Sequence, residues 1–154
     1  MKRIASFEVD HTRLLPGMYL SRTDGPVTTY DLRFIRPNTP PFLPSAVMHT
    51  IEHLFATYAR NSRWGEHIVY FGPMGCRTGF YVIFKGDLCP QDIIGVLRRM
   101  ADFILNFEGT IPGASPKDCG NYLDLNLSMA KFYTRKYKTE VLDNPTEQRL
   151  TYPC

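Results

Sequence analysis

The sequence predicts an α+β fold: a mainly antiparallel β-sheet packed with about three to four helices, one domain over residues 1–154. Two observations lead there. Short segments of alternating apolar and polar residues, rich in β-branched and aromatic types, fall in pairs around turn residues. Stretches with an apolar period near 3.6 lie between and after them, without strict strand–helix alternation. A chain of 154 residues is long enough to bury roughly two-thirds of its unfolded surface in a real core.

The elements follow in order. IASFEV (4–9), GMYLSRT (17–23) and VTTYDLRFI (27–35) read as strands. In the last, Tyr30, Leu32 and Phe34 alternate with Thr29, Asp31 and Arg33, placing one face on a core and one face outward. The loop RPNTPPFLP is too proline-rich for periodic structure. A helix then starts with Ser45 as its N-cap and ends near Asn61 or Ser62. HIVYFG and GFYVIFKG form a strand pair around the turn PMGCRT. A second helix runs from Pro90, a good first-turn residue, to about Phe107. After the Gly- and Pro-rich loop TIPGASPKDCGN, a third runs from about Leu125 to Leu142. The tail 143–154 reads as loosely held.

Charge excludes some function classes. The net charge is +3, with 18 basic residues dispersed among 15 acidic ones, so no basic face marks a nucleic-acid partner. No basic amphipathic helix points to a membrane surface, and no run approaches the roughly 18 apolar residues of a span. MKRIASFEVDH has no apolar core of a signal peptide. Cys76, Cys89, Cys119 and Cys154 are widely spaced without a CxxC pair, a usage that fits thiols or metal ligands better than a disulfide framework. A cytoplasmic protein is expected.

The segment HTIEH (49–53) stands out. At about 100° per residue, Met48, Leu54, Phe55 and Tyr58 fall within roughly 60° of Ile51 and form the buried stripe. His49 and His53 lie at roughly 160° and 200°, with Glu52 on their flank near 100°, so all three point away from that stripe. Residues four apart on a helix surface can bring both imidazoles to one metal ion, and the carboxylate beside them can handle a proton. The competing reading, a solvated polar face, is less favoured because the glutamate is in register and Ala56 leaves space one turn on.

Two histidines need a further ligand, and His11, His67, Cys76, Cys119 or a distant carboxylate are the candidates. Cys76 lies in a turn beside Arg77, a cation that favours thiolate, which makes it a candidate base or nucleophile. Cys119 precedes a glycine just upstream of a helix, a position that favours an anion. Cys89, before Pro90, reads as a small buried filler. Spacing does not choose between Cys76 and Cys119 as the metal ligand.

Taken together, SFEVDH, YDLRFIRPN, HTIEH, GPMGCRTGF and KDCGN, in that order from Ser6 to Asn121, resemble the S-ribosylhomocysteine lyase (LuxS) family. HxxEH alone is moderately specific; five motifs in the family's order are highly so. The resemblance implies that His49, His53 and Cys119 hold one divalent metal per subunit, natively Fe(II) and replaceable by Zn(II) or Co(II). It implies that Cys76 and Glu52 are the acid–base pair, and that Ser6, His11 and Arg33 surround the substrate S-ribosylhomocysteine. The active site would lie at the interface of a homodimer. Three positions depart from the family pattern: Tyr70 stands where an aspartate is usual, Gly72 where a serine precedes Pro-Met-Gly-Cys, and Arg77 where glutamine is common.

Two other readings differ in class. An inverted HxxEH metallopeptidase would use Glu52 as general base and need a downstream carboxylate ligand, Glu108 or Glu140. A non-catalytic domain with structural zinc would close its site with four ligands.

Overall fold

The computed structural model describes residues 4, 7–86 and 88–153. Its elements are β1 (Gly17–Asp24), β2 (Val27–Arg33), α1 (Ser45–Asn61), β3 (Ile68–Pro73), β4 (Gly79–Lys85), α2 (Pro90–Asn106), α3 (Leu127–Tyr137), a π-helical turn (Lys138–Leu142) and α4 (Glu147–Leu150). The strands form one antiparallel sheet in the order β1-β2-β4-β3, giving the expected α+β architecture. Gly25, at φ +57°, supplies the left-handed residue that the tight β1–β2 turn requires.

One sheet face meets the helices. Tyr30 and Leu32 of β2 alternate onto it and lie opposite Val82 and Phe80 of β4. α1 packs on β3, with α2 and α3 against it. Val47, Ile51 and Leu54 of α1 are buried at that junction. Rings stack across the core, Phe55 on Phe71 at 3.6 Å and Phe34 on Tyr137 at 4.0 Å. Each fully buried Leu or Ile there contributes roughly 1.5–3 kcal/mol.

Several expectations are corrected. No strand forms at 4–9 among the described residues: Phe7–Val9 is a turn in which the Phe7 N–H donates to the Ile4 carbonyl at 2.9 Å. Phe7 is 63% exposed, so it has no buried face to hold it extended. Pro44, not Ser45, occupies the N-cap of α1, and the Ser45 hydroxyl instead donates to Asp124 Oδ2 at 3.0 Å. Cys89 is exposed at the N-cap of α2, its Sγ 3.1 Å from Asp92 Oδ2, and is not a core filler. α3 begins at Leu127, two residues later than expected, because the Asn126 side chain caps it by accepting from the Met129 N–H.

The polar face of β2 is not open to water. Asp31 and Arg33 are 1% and 3% exposed. The cover comes from the segment after residue 143, expected to be loose. Tyr152 stacks on Tyr19 at 4.9 Å. Arg149 donates to the Pro16 carbonyl at 2.8 Å and pairs with Glu140 at 3.3 Å. The Tyr19 hydroxyl donates to Leu15 O and contacts Gln148 O at 3.2 Å.

Candidate active site

On α1 the His49 and His53 rings stand edge to face with centroids 4.6 Å apart. Each Nδ1 is 2.8–2.9 Å from a backbone carbonyl, His49 from Asp124 O and His53 from Pro112 O. A carbonyl only accepts, so both Nδ1 atoms carry the proton and both Nε2 lone pairs are available. Cys119 Sγ lies 3.2 Å from His49 Nε2. Donor atoms of His49, His53 and Cys119 lie within 4.8 Å of one another. This set fits a divalent transition metal: tautomers fixed by outer hydrogen bonds, one soft sulfur, and three protein donors, the number a catalytic tetrahedral site uses. Among the described residues it draws in none of His11, His67, Cys76, Glu108 or Glu140.

The loop carrying Cys119 is tied to α1 at points that do not touch the donors. Thr50, buried, donates to Ala46 O and accepts from the Asn126 N–H at 2.8 Å. Gly113 has φ +77°, and a Cβ there would meet His53 Nδ1 at 3.1 Å, so the loop can approach the imidazole only with glycine at this position. Cys119 does not sit just upstream of a helix, since α3 begins at Leu127. The Asn121 N–H donates to the Cys119 Sγ at 3.4 Å. Glu52, half-buried on α1, flanks the histidines.

A second cluster gathers on the sheet. Arg33 grips Asp31 with two donors, Nε to Oδ1 at 3.1 Å and Nη2 to Oδ2 at 2.5 Å. Its Nη1 donates to Thr78 Oγ1 at 2.6 Å and lies 3.8 Å from Cys76 Sγ, which is itself 3.0 Å from Thr78 Oγ1. The cation reaching Cys76 is therefore Arg33. Arg77, at φ +60°, is exposed, and its carbonyl accepts from the Leu43 N–H. Burial pushes the Asp31 carboxyl above the ordinary carboxylate range, while the Arg33 charge and hydrogen bonds pull it back. His11, half-buried with Nδ1 donating to Val9 O at 2.8 Å, lines a small cavity with Ser21, Asp31, Arg33, Tyr81 and Tyr152. Ser6 lies outside the described residues.

The structure thus brings His49, His53 and Cys119 together, and separately Arg33, Cys76 and His11. No hydrogen bond or ion pair among the described residues joins the two groups. A hollow lined by Thr57, Tyr58, Asn61, Ser62, Arg63, Trp64, Arg99 and Phe103 contains no thiol, imidazole or carboxylate. Sequence reasoning missed Asp31, Thr78 and Tyr152. The Asp31–Leu32–Arg33 alternation signals the ion pair, but Tyr152 carries no local signal.

Fold and site define a class: an α+β protein with an open His2Cys site suited to a divalent metal and a thiol held by a buried arginine. The S-ribosylhomocysteinase (LuxS) family model matches residues 4–148. The S-ribosylhomocysteine lyases of Clostridium beijerinckii and Clostridium acetobutylicum are 52% and 51% identical to this chain, each alignment covering 99% of both sequences. That of Borreliella burgdorferi is 49% identical over 99% of this chain. The chain belongs to the LuxS family.

Proposed function

We propose that this chain cleaves S-ribosylhomocysteine to homocysteine and 4,5-dihydroxy-2,3-pentanedione, with one divalent metal per subunit held by His49, His53 and Cys119. The grouping of those three donors within 4.8 Å carries the reading, beside family membership. Fe(II) is the native ion on this reading, with Zn(II) or Co(II) able to replace it, and the enzyme works in the cytoplasm. Among the described residues no helix is long and apolar enough to cross a membrane.

The reaction moves the sugar carbonyl from C1 to C2 to C3, until the thioether at C5 is a β-leaving group. Bound at the triad, the metal would act as a Lewis acid for the negative charge that builds on the sugar oxygens. Every other task falls to side chains. Cys76 takes a proton from the carbon beside the carbonyl and returns it to the neighbouring carbon in the earlier transfers. Arg33, 3.8 Å from its sulfur, provides the positive charge that favours thiolate. Glu52 handles the later transfers, including removal of the proton whose loss expels the homocysteine thiolate. Ser6 and His11 hold the substrate with Arg33.

The active unit is a homodimer with its sites at the subunit interface. Cys76 is exposed and His49, His53 and Cys119 are half-buried, so a second copy can reach both groups. Leu20, Val69 and Tyr70, 45–52% exposed on the sheet, supply apolar surface for a second copy.

The test is free-thiol release from S-ribosylhomocysteine by protein purified without oxygen, with Cys76→Ala as control. Metal-dependent release that vanishes in the control supports lyase and thiol role together. No release from folded, dimeric, metal-loaded protein would sink the reading and direct attention to Tyr70 and Arg77.

A further inference from the structure

We propose that Tyr152 is a positioning residue: its hydroxyl holds the Asp31 carboxylate that clamps Arg33 against Cys76. The inference rests on the reading of Cys76 as an acid–base group. Tyr152 lies beyond the residues 4–148 that match the family model, and its contact with Asp31 spans 121 positions of the chain.

The geometry is a relay of contacts. The Tyr152 hydroxyl donates to Asp31 Oδ2 at 3.0 Å, the same oxygen that accepts from Arg33 Nη2. Arg33 then divides its remaining donors between Asp31 Oδ1 and Thr78, and the Nη1 bonded to Thr78 faces Cys76. Asp31 is 1% exposed, so bulk solvent does not make up for a lost donor there. Without the phenol, one oxygen of a buried carboxylate depends on Arg33 alone. The guanidinium is then drawn toward Asp31 and away from the thiol. The stack of Tyr152 on Tyr19, at an interplanar angle of 14°, fixes the ring so that its hydroxyl meets Asp31. Burial and the Asp31 charge hold the Tyr152 phenol well above its ordinary value, so it stays a donor through the working pH range. The charged and titratable groups facing Asp31 include Arg33, His11, Tyr19, Tyr81, Tyr137 and Tyr152; the guanidinium that reaches Cys76 at 3.8 Å is that of Arg33.

Tyr152→Phe removes the hydroxyl and keeps the stacked ring. Alkylation of Cys76 by iodoacetamide, followed peptide by peptide in the full-length metal-loaded protein, reports its thiolate independently of lyase activity. We expect the alkylation pH profile to move to higher pH. We expect kcat to fall roughly three- to tenfold with KM little changed, the scale of one ordinary net hydrogen bond, because the bond acts on Cys76 only through Arg33. Tyr19→Phe is the control: its hydroxyl bonds Leu15 O and Gln148 O but neither Asp31 nor Arg33, so both profiles should stay at wild type. An unmoved alkylation profile in folded Tyr152→Phe overturns the proposal, as does an equal shift in Tyr19→Phe, which would make the tail a structural strap. If Tyr152→Phe does not fold, Tyr152→Leu fills the place with no donor at all and is read the same way. Lyase activity lost in the wild type with the alkylation shift intact would refute the assigned function, not the clamp.

Discussion

Replacing Gly113 with alanine puts a methyl carbon 3.1 Å from His53 Nδ1 and 3.2 Å from its Cε1, at a residue whose φ is +77°. Two costs add. An L-residue in the left-handed region costs about 1–2 kcal/mol. The crowded imidazole also has to give by a few tenths of an ångström, which weakens the Pro112 O contact, worth roughly 0.5–1.5 kcal/mol. Together they reach about 2–3 kcal/mol, or a fall in Tm of roughly 4–12 °C for a chain of this size. The second cost falls on a group that orients a metal ligand, so metal affinity should drop by roughly 10- to 100-fold. Gly109→Ala separates the two: its φ is +93° with nothing within 4 Å of the added carbon, so it should lose stability and keep metal affinity. Thermal unfolding of metal-free protein, with Co(II) titration against a competing chelator, reads both quantities. Equal Co(II) affinities for the two variants would refute the argument that the carbonyl contact orients His53.

Arg33→Met should destabilise the protein by roughly 3–5 kcal/mol in urea unfolding, because it leaves the Asp31 carboxylate buried without its guanidinium. A loss below about 1 kcal/mol would mean that water reaches Asp31. At high pH the tail should loosen. Burial, helped by the Asp31 charge, pushes the Tyr19 phenol from 10.0 up to about 12. The folded chain then keeps a proton that the unfolded chain has begun to lose, so this stability is whole below pH 10 and is lost as pH rises through 12. Urea midpoints at pH 9 and pH 11.5 should fall more steeply in the wild type than in Tyr19→Phe, and parallel slopes would count against it.

What the sequence made legible was local. β3, β4, α1 and α2 follow from alternation, helical period and a first-turn proline, and HTIEH exposes two of three metal donors through a four-residue spacing. Cys119 was not separable from Cys76 by spacing, because a loop residue is aimed by turns; the resemblance chose it, and the 3.2 Å contact with His49 agrees. The burial of Asp31 and Arg33 was misread for a related reason. Alternation says which face a residue takes, but not that a segment more than 110 positions later covers it. Cys89 was misjudged because a small apolar residue ahead of the helix-starting proline was read as packed, whereas at the N-cap of α2 its Sγ is exposed beside Asp92.

The ties that hold the cysteine loop against α1 have a thermodynamic consequence. His49 to Asp124 O, His53 to Pro112 O and Thr50 to the Asn126 N–H all run through Nδ1, hydroxyl or backbone atoms, so none of these ties uses a donor that would face the ion. The conformational entropy of gathering the ligands is therefore lost when the chain folds, not when it captures metal. Small metal-folded domains release a large heat-capacity change on binding, because apolar surface is buried in the same step. Here that surface is already covered, so ion capture resembles filling a rigid chelator: a near-zero heat-capacity change, and a capture rate set by access and not by refolding.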